Sequence, residues 1–545
     1  MRTLSLNHIP VEVLIESIFC YLAARDIQAL SCCSSFLAGV CADDLLWKRL
    51  LLRDFNVRIT HKIGVDLKSI HKGLQGDSRI FVWGVNENNI FWPPGPFATI
   101  SEQDGDDRKV LSYPHAIEAG PQVAALEAGA TLFCALDIEG KLHVWGNLSW
   151  TSFAPRCMGR ASAPATLLMP NKIESVSCGR MHIAVVDALS NIWIFTSWES
   201  PYRLVCPELS NTSPETSAAQ VEVGSYFVAV LTESAGVYAT WPFCGPQRDF
   251  TLSPSEVSGA GLRVPDDWRQ SGTFYDCELW DAHSRLLALP QLPDLPPLPL
   301  TGYGASLSPR ITQIAAGNDF LVALTNHGHV LKIDLTGGQH ANGLTKLQEK
   351  IAAGDLGWEY LPLFSTLDGY ENLNNAPPFQ AEPRSALGGP PVGRITRITA
   401  NDRMFAAHST GPGSIVLMGT KRTTSSTPPE FIPFHQSHFV ISVTLGDNHF
   451  GALTSDGQLL TWGRAAFGAL GLGDPHSLPA DTPGGFSSNP ACASLPDVKV
   501  PCPVRFDWEA EGSGTTAGKR QFCFAAAASG KQFAALVLSL DDRSS

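Results

Sequence analysis

A block that opens on glycine recurs along this chain, and the recurring region begins and ends with half a copy. The glycine is followed three residues later by His, Phe or Leu, then by small or β-branched residues. A second turn follows 11 to 13 residues after the first. The block occurs as Gly129-Ala-Thr-Leu-Phe-Cys-Ala-Leu with Gly140-Lys-Leu-His-Val-Trp145-Gly146, as Gly179-Arg-Met-His182 with Asn191-Ile-Trp193, and as Gly224-Ser-Tyr-Phe227 with Gly236-Val-Tyr238. Further copies lead from Gly317, from a degenerate Ala400-Asn-Asp-Arg403, and from Gly446-Asp-Asn-His449, completed by Gly457-Gln-Leu-Leu-Thr-Trp462-Gly463. A seventh, Gly530-Lys-Gln-Phe533, stops at Leu540 without its second half. That half stands at the other end: Arg79-Ile-Phe-Val-Trp83-Gly84 has no glycine block before it. A ring of blades closed by strands from both ends of the repeat region explains the arrangement, because closure shields sheet edges. An open solenoid would need polar caps, and none is evident. Seven blades are expected; six or eight follow if the degenerate copy is misread.

The leading positions stand 45 to 50 residues apart in the short intervals and 83 to 93 apart in three long ones. The propeller is therefore assigned to residues 78–540, with insertions near 244–310, 336–394 and 471–518. These include Pro290–Pro299 with five prolines, Asn374–Pro391, and Gly471–Gly518. Such segments are expected to run over the ring surface rather than enter a sheet, and to be candidate binding surfaces. Charged residues at 17 %, with 48 Gly and 39 Pro, suit short strands and tight turns. The net charge of −13 argues against affinity built on phosphate neutralisation, so no nucleic-acid partner is expected.

Residues 1–54 read as a separate helical unit and 55–77 as a linker. Ile9 and Val13, then Leu14, Ile18 and Leu22, recur at four-residue steps as one apolar stripe, with Pro10 in the first turn. A second helix, Ile27–Val40, starts beside Asp26, and a third follows Asp43-Asp44 with Leu45, Leu46, Trp47, Leu50 and Leu51. Three short helices cannot easily enclose a core alone, and leftover apolar surface usually meets another protein. Thirteen cysteines, an odd number without a C-x-x-C pair, point to a reducing compartment; adjacent Cys32 and Cys33 are expected as small buried thiols. Val11–Leu22 is interrupted by Glu12 and Glu16 and has no cleavage site, and no stretch of 18 apolar residues exists. The expectation is an intracellular, soluble chain in the cytoplasm and/or nucleus, with no membrane partner.

The stretch Ile9-Pro10-Val-Glu-Val-Leu14-Ile-Glu-Ser-Ile18-Phe-Cys-Tyr-Leu22, then Arg25-Asp26-Ile27 and Leu46-Trp47-Lys48-Arg49-Leu50, resembles an F-box. The resemblance implies docking onto the Skp-type adaptor of a cullin-based ubiquitin ligase, with Ile9, Pro10, Leu14, Ile18, Leu22 and Ile27 as adaptor-binding residues. The repeats resemble those of the regulator of chromosome condensation, most clearly over Gly446–Gly473. The combination, with Gly357-Trp-Glu-Tyr-Leu-Pro362 and Leu445-Gly-Asp-Asn-His, is similar to a fungal F-box family whose propeller is understood to recruit substrate. The fold class that follows is multidomain: a small all-α F-box and then an all-β propeller.

No catalytic constellation is found. Gly512-Ser-Gly-Thr-Thr-Ala-Gly518-Lys519-Arg520 misses a phosphate-binding loop at Ser513 and Arg520, and Gly468-Ala-Leu-Gly471-Leu-Gly473 is a blade turn rather than a dinucleotide fingerprint. His182 and His449 occupy equivalent repeat positions, which favours structural hydrogen bonding over metal ligation. Trp83, Trp145 and Trp462 are expected in blade packing. No metal, cofactor or catalytic residue is assigned. The expectation is a non-catalytic substrate receptor that recruits an unidentified protein for ubiquitination and proteasomal degradation, partnered by the adaptor and through it a cullin. The alternatives are a nucleotide-exchange factor for a small GTPase and a cullin-independent F-box scaffold.

Overall fold

The computed structural model describes residues 9–22, 24–55, 65–75, 78–86, 98–101, 107–117, 123–148, 160–198, 200–209, 213, 216–242, 251–254, 274–283, 286–298, 308–340, 342–366, 394–410, 414–432, 434, 439–475, 477–479, 497–507 and 519–541. Seven sheets of four to six strands form a propeller. Their inner strands are Val123–Gly129 in blade 1, Ile173–Cys178 in blade 2, Ala218–Val223 in blade 3, Ile311–Ala316 in blade 4, Arg397–Asn401 in blade 5, Val440–Leu445 in blade 6 and Lys519–Ser529 in blade 7. Seven blades are thus borne out, the degenerate copy included.

Blade 7 is built from both ends of the repeat region, in the order Ala98–Ser101, Asp107–Ile117, Ser78–Val85, Gln532–Asp541, Lys519–Ser529. Ser78–Val85 runs antiparallel to Gln532–Asp541, from Ser78 opposite Leu538 to Gly84 opposite Gln532. Trp83 stacks on Phe533 with ring centroids 4.8 Å apart and donates its indole N–H to the Ala469 carbonyl at 3.0 Å. One buried ring therefore joins the first strand to the last and to Ala469, which follows the third strand of blade 6, Leu459–Arg464.

The repeated glycines have two distinct causes. Gly84, Gly146 and Gly463, each following a Trp, sit at φ of 101°, 98° and 102° where the strand pairing slips by a residue, a bulge that only glycine enters without strain. The leading glycines answer instead to crowding: a Cβ on Gly317 or Gly446 would lie 2.1 Å from the ring of Phe320 or His449 three residues on, and elsewhere the neighbouring blade is what approaches. A Cβ on Gly179 would lie 2.2 Å from the Gly224 carbonyl oxygen, and one on Gly224 would lie 2.6 Å from that of Gly317.

Two expectations need correction here. Part of the first insertion enters sheets: Trp280–His283 lies between Tyr202–Val205 and Thr251–Pro254 in blade 2, and Phe274–Asp276 extends blade 1 beside Arg160–Leu168. The outer edges of blades 1 and 2 offer unpaired N–H and C=O groups, and this stretch is aromatic-rich and free of proline. Its proline-rich run, Pro290–Pro299, lies beyond these strands, and Pro254 is accommodated in the edge strand Thr251–Pro254 of blade 2. The second insertion folds into helices at Gly343–Ala353 and Pro362–Ser365. Asn374–Pro391 and most of Gly471–Gly518 lie outside the described residues, but Asp497–Pro503 of the third insertion also enters a sheet, as the outer strand of blade 6 beside Leu459–Arg464.

The N-terminal unit has more and shorter helices than the apolar spacing predicts: α1 Val11–Ser17, a 3-10 turn Phe19–Tyr21, α2 Ala24–Ser31, α3 Ser35–Cys41 and α4 Asp44–Phe55. Ile27–Val40 is two helices because Ser34 caps a new start, its hydroxyl accepting from the Leu37 N–H at 3.2 Å. Cys32 and Cys33 occupy the resulting corner and are exposed, not buried. Pro10 is the N-cap of α1 rather than a residue within its first turn. Within 55–77, residues Leu67–Gln75 form helix α5, which buries Leu67, Ile70, His71 and Leu74.

Helix α5 brings the two parts of the chain into one core. Leu14, Ile15, Phe19, Ile27, Leu46, Trp47, Leu50 and Leu51 pack with Leu67, Ile70 and Leu74, and the same cluster continues into Ala124, Phe522, Leu538 and Leu540 of the propeller. The packing is close enough that a Cβ on Gly73 would stand 3.1 Å from Leu540 Cδ2. Truncation before Lys519 should therefore do more than open the ring. It removes Phe522, Leu538 and Leu540 from beneath the helices, so propeller and helical unit should lose cooperative unfolding together. Calorimetry and limited proteolysis of the truncated chain check this; an N-terminal unit that still melts cooperatively overturns it.

Candidate functional site

The helical unit divides its apolar residues between an inner and an outer face. At Ile18 the backbone leaves helical geometry (φ −131°, ψ −62°), which splits the stripe expected from the spacing. Leu14 and Ile27 are fully buried in the core described above, so neither is a surface that a partner touches directly. Pro10 and Ile18 are exposed, and Ile9 and Leu22 are half-buried. Val13 (44 % exposed) and Tyr21 (78 %) join them. Four-residue spacing found the pattern but could not say which side faces inward, and Tyr21 was missed because a 3-10 turn re-aims it.

Beneath this face, a polar clamp fixes α4 and α5. The His71 Nε2–H donates to Asp54 Oδ2 at 2.8 Å; Arg53 pairs with Asp54 and donates to the Cys20 and Leu22 carbonyls at 2.5 and 3.0 Å. Trp47 meets the His71 ring edge-on at 5.3 Å and donates to the Cys41 carbonyl at 2.8 Å. Burial alone would raise the Asp54 pKa, but the His71 and Arg53 hydrogen bonds and charges outweigh it and hold it below its ordinary value.

The propeller channel is the second candidate. The inner strands surround a cavity of about 370 Å³ lined by Glu127, Cys178, Glu222, Gln313, Arg397, Asn401 and His408 among others. Polar side chains on these strands bond the backbone of the next blade. Val223 N–H donates to Ser177 Oγ at 3.0 Å; Gln220 exchanges two bonds of 2.9 Å with Ile314; Gln313 does the same with Ile398 at 3.0 and 3.1 Å. Asn401 donates to the Leu445 carbonyl, Ala528 N–H to Thr444 Oγ1 at 3.0 Å, and Gln532 to the Gly129 carbonyl at 2.9 Å. Gln220 and Gln313 each stand four residues before a leading glycine, a signal the sequence offered and the repeat alignment passed over. At the end where the leading glycines lie, Arg180 of blade 2 faces Asp402 of blade 5 at 3.9 Å. His449, pushed down to about 4 by burial, is a neutral imidazole that bonds the Gln532 carbonyl at 3.2 Å, the structural role expected of it. Among the described residues no group of three or more His, Cys, Asp or Glu is placed to hold a metal ion.

Residues 6–53 match the family described as F-box-like, and residues 440–469 match the regulator of chromosome condensation (RCC1) repeat. No curated protein matches the chain. Similar solved structures include human WBSCR16, 16 % identical over 85 % of this chain and 100 % of that one, with a TM-score of 0.47. Prp20p from Saccharomyces cerevisiae is 14 % identical over 89 % and 97 %, with a TM-score of 0.48. Yeast RCC1 (Prp20), solved with Kap60, is 14 % identical over 89 % and 94 %, with a TM-score of 0.47. The class is thus an F-box-like helical domain joined to an all-β propeller, domains typical of adaptor or binding modules. The chain carries an F-box-like domain at its N-terminus and an RCC1-type repeat within a seven-bladed propeller.

Two pH effects follow. Asp54 holds its charge to lower pH folded than unfolded, so the clamp contributes fully above about pH 4 and is lost as pH falls through the folded value. Asp54→Asn should reduce stability by roughly 1–3 kcal/mol at pH 7 and much less near pH 3, measured by denaturant titration. The channel carboxyls work the other way. Burial, then repulsion from Glu222, pushes Glu127 up to about 8; burial pushes Glu222 up to about 7 against the Gln220 hydrogen bond. Folding then loses stability as pH climbs from about 4 toward 8. Glu127→Gln should raise Tm by roughly 1–3 °C at pH 8.5 and leave it unchanged at pH 4.5.

Proposed function

We propose that this chain is the substrate-recognition subunit of a Skp–cullin–F-box ubiquitin ligase. Its outer helical face would grip the adaptor, and the propeller would capture a protein for ubiquitination and proteasomal degradation. The observation that carries the reading is the outer face itself. In an F-box-like unit whose core is already sealed by α5 and blade 7, Pro10, Val13, Ile18 and Tyr21 remain exposed, with Leu45 at 36 %. Burial of such side chains at a contact is worth on the order of 1–3 kcal/mol each. Leu14 and Ile27 serve by holding the face in shape; Ile9, Pro10, Ile18 and Leu22 can meet the partner.

The placement of the unit supports a division of labour. Phe522 lies under the turn at Gly457, and Ile138, in the corresponding turn of blade 1, packs against the same helical core. The helices therefore sit at the end of the ring carrying the turns between the second and third strands, at Gly140 and Gly457. The opposite end, where Arg180 meets Asp402, is left for a substrate. Within this reading the protein works in the cytoplasm and/or nucleus; the ten described cysteines are all free thiols, which suits a reducing compartment. Among the described residues no helix is long and apolar enough to cross a membrane.

The test separates contact residues from core residues. Val13→Asp with Tyr21→Ala should weaken binding of the purified Skp-type adaptor at least tenfold without changing Tm. Leu14→Ala should lower stability by about 2–5 kcal/mol, as a buried cavity does. A well-folded wild-type chain that does not bind the adaptor overturns the proposal. Acceleration of GDP release from a small GTPase by such a chain would favour the exchange-factor reading instead.

A further inference from the structure

The segment Leu289-Pro290-Gln-Leu292-Pro293-Asp-Leu295-Pro296-Pro297-Leu298 repeats with a period of three, which is neither the helix nor the strand period. Its burial follows the same period. Leu289, Leu292, Leu295 and Leu298 are half-buried, while Gln291, Pro293, Asp294, Pro296 and Pro297 are exposed. The first three leucines pack on the core shared by blades 3 and 4, which contains Leu287, Leu331 and Trp358.

Hydrogen bonds repeat at twice that period. Trp358 Nε1–H donates to the Pro290 carbonyl at 2.9 Å, and His329 Nε2–H donates to the Pro296 carbonyl at 2.8 Å. The two acceptors are six residues apart and face the propeller together, as a helix of three residues per turn requires. Polyproline II has that repeat, no internal hydrogen bonds, and the φ that proline imposes. His329 is itself fixed, buried with its Nδ1 beside Thr325 Oγ1 at 3.0 Å and its ring edge-on to Tyr360.

A helix of three residues per turn has three ridges. The leucine ridge is used up on the propeller. The proline ridge of Pro293 and Pro296, and the ridge of Gln291, Asp294 and Pro297, both face solvent. We propose that this strap is a pre-ordered polyproline ligand that docks a partner domain whose groove is lined by aromatic side chains. Grooves of that kind read two ridges of such a helix and gain from its low conformational entropy. Anchoring by Trp358 and His329 removes the remaining entropy before the partner arrives. Asp294 is the one charge on the outward ridges, so the fitting groove carries Lys or Arg beside its aromatics. The site lies on the outer surface of blades 3 and 4 and is independent of adaptor docking.

The experiment titrates isotope-labelled SH3, WW and profilin domains, each with an aromatic polyproline groove, with the 545-residue chain. At least one domain with a basic groove rim should show shifts confined to its groove, with Kd on the order of 10 µM. Pro293→Ala with Pro296→Ala should weaken that binding at least tenfold, and Asp294→Lys at least threefold, with Tm unchanged. If the proline variant lowers Tm, the Asp294→Lys result alone decides. No groove-confined shift at 500 µM chain, or binding unaffected by Asp294→Lys, overturns the proposal.

Discussion

Everything in this protein rests on the pairing of Ser78–Val85 with Gln532–Asp541. A sheet ring has no edge only if its last blade is complete, and here that blade draws strands from sequence positions more than 400 residues apart. Closure depends on non-local contact, and non-local contact is the slow and entropically expensive part of folding. The stacking of Trp83 on Phe533 concentrates apolar burial at that joint. Once formed, the joint also becomes a platform, because Leu538 and Leu540 on the closing strand project into the helical core.

The same ring is held from inside by a polar seam. Gln220, Gln313 and Asn401 reach backbone groups of the next blade at positions where the channel leaves them partly dry. Such bonds fix the angle between blades more than they add net stability, since each replaces a bond to water. Glu127 and Glu222 sit among them, and burial pushes Glu127 up to about 8 and Glu222 up to about 7. The contacts proposed above therefore all lie at the periphery: helices at one end, loops at the other, and the proline strap along the outside.

Much of this was legible in the chain. The half-copies at Trp83-Gly84 and Gly530-Phe533 implied ring closure, and the bulge that follows each Trp explains why Trp-Gly recurs. The helical unit was legible in kind but not in detail. Ser34 and the break at Ile18 are local events that shift which apolar residues face inward, so that Leu14 before the break is buried and Tyr21 in the 3-10 turn after it is exposed. The strands at 274–283 were not legible because edge pairing depends on which blades are adjacent, not on propensity alone.

By itself the sequence determined what is periodic: the glycine that leads every blade but the fifth, the Trp-Gly pairs, the paired half-blades, the three-residue leucine–proline alternation. Each of these recurs along the chain, so it leaves a mark that can be found before its spatial neighbours are known. Only the tertiary structure decided what faces what. Residues 67–75 became a helix that seals the N-terminal unit against blade 7, Leu14 and Ile27 became core, and Val13, Ile18 and Tyr21 stayed at the surface. The reason is that burial is a property of the assembled partner surfaces, and those surfaces exist only once the ring has closed.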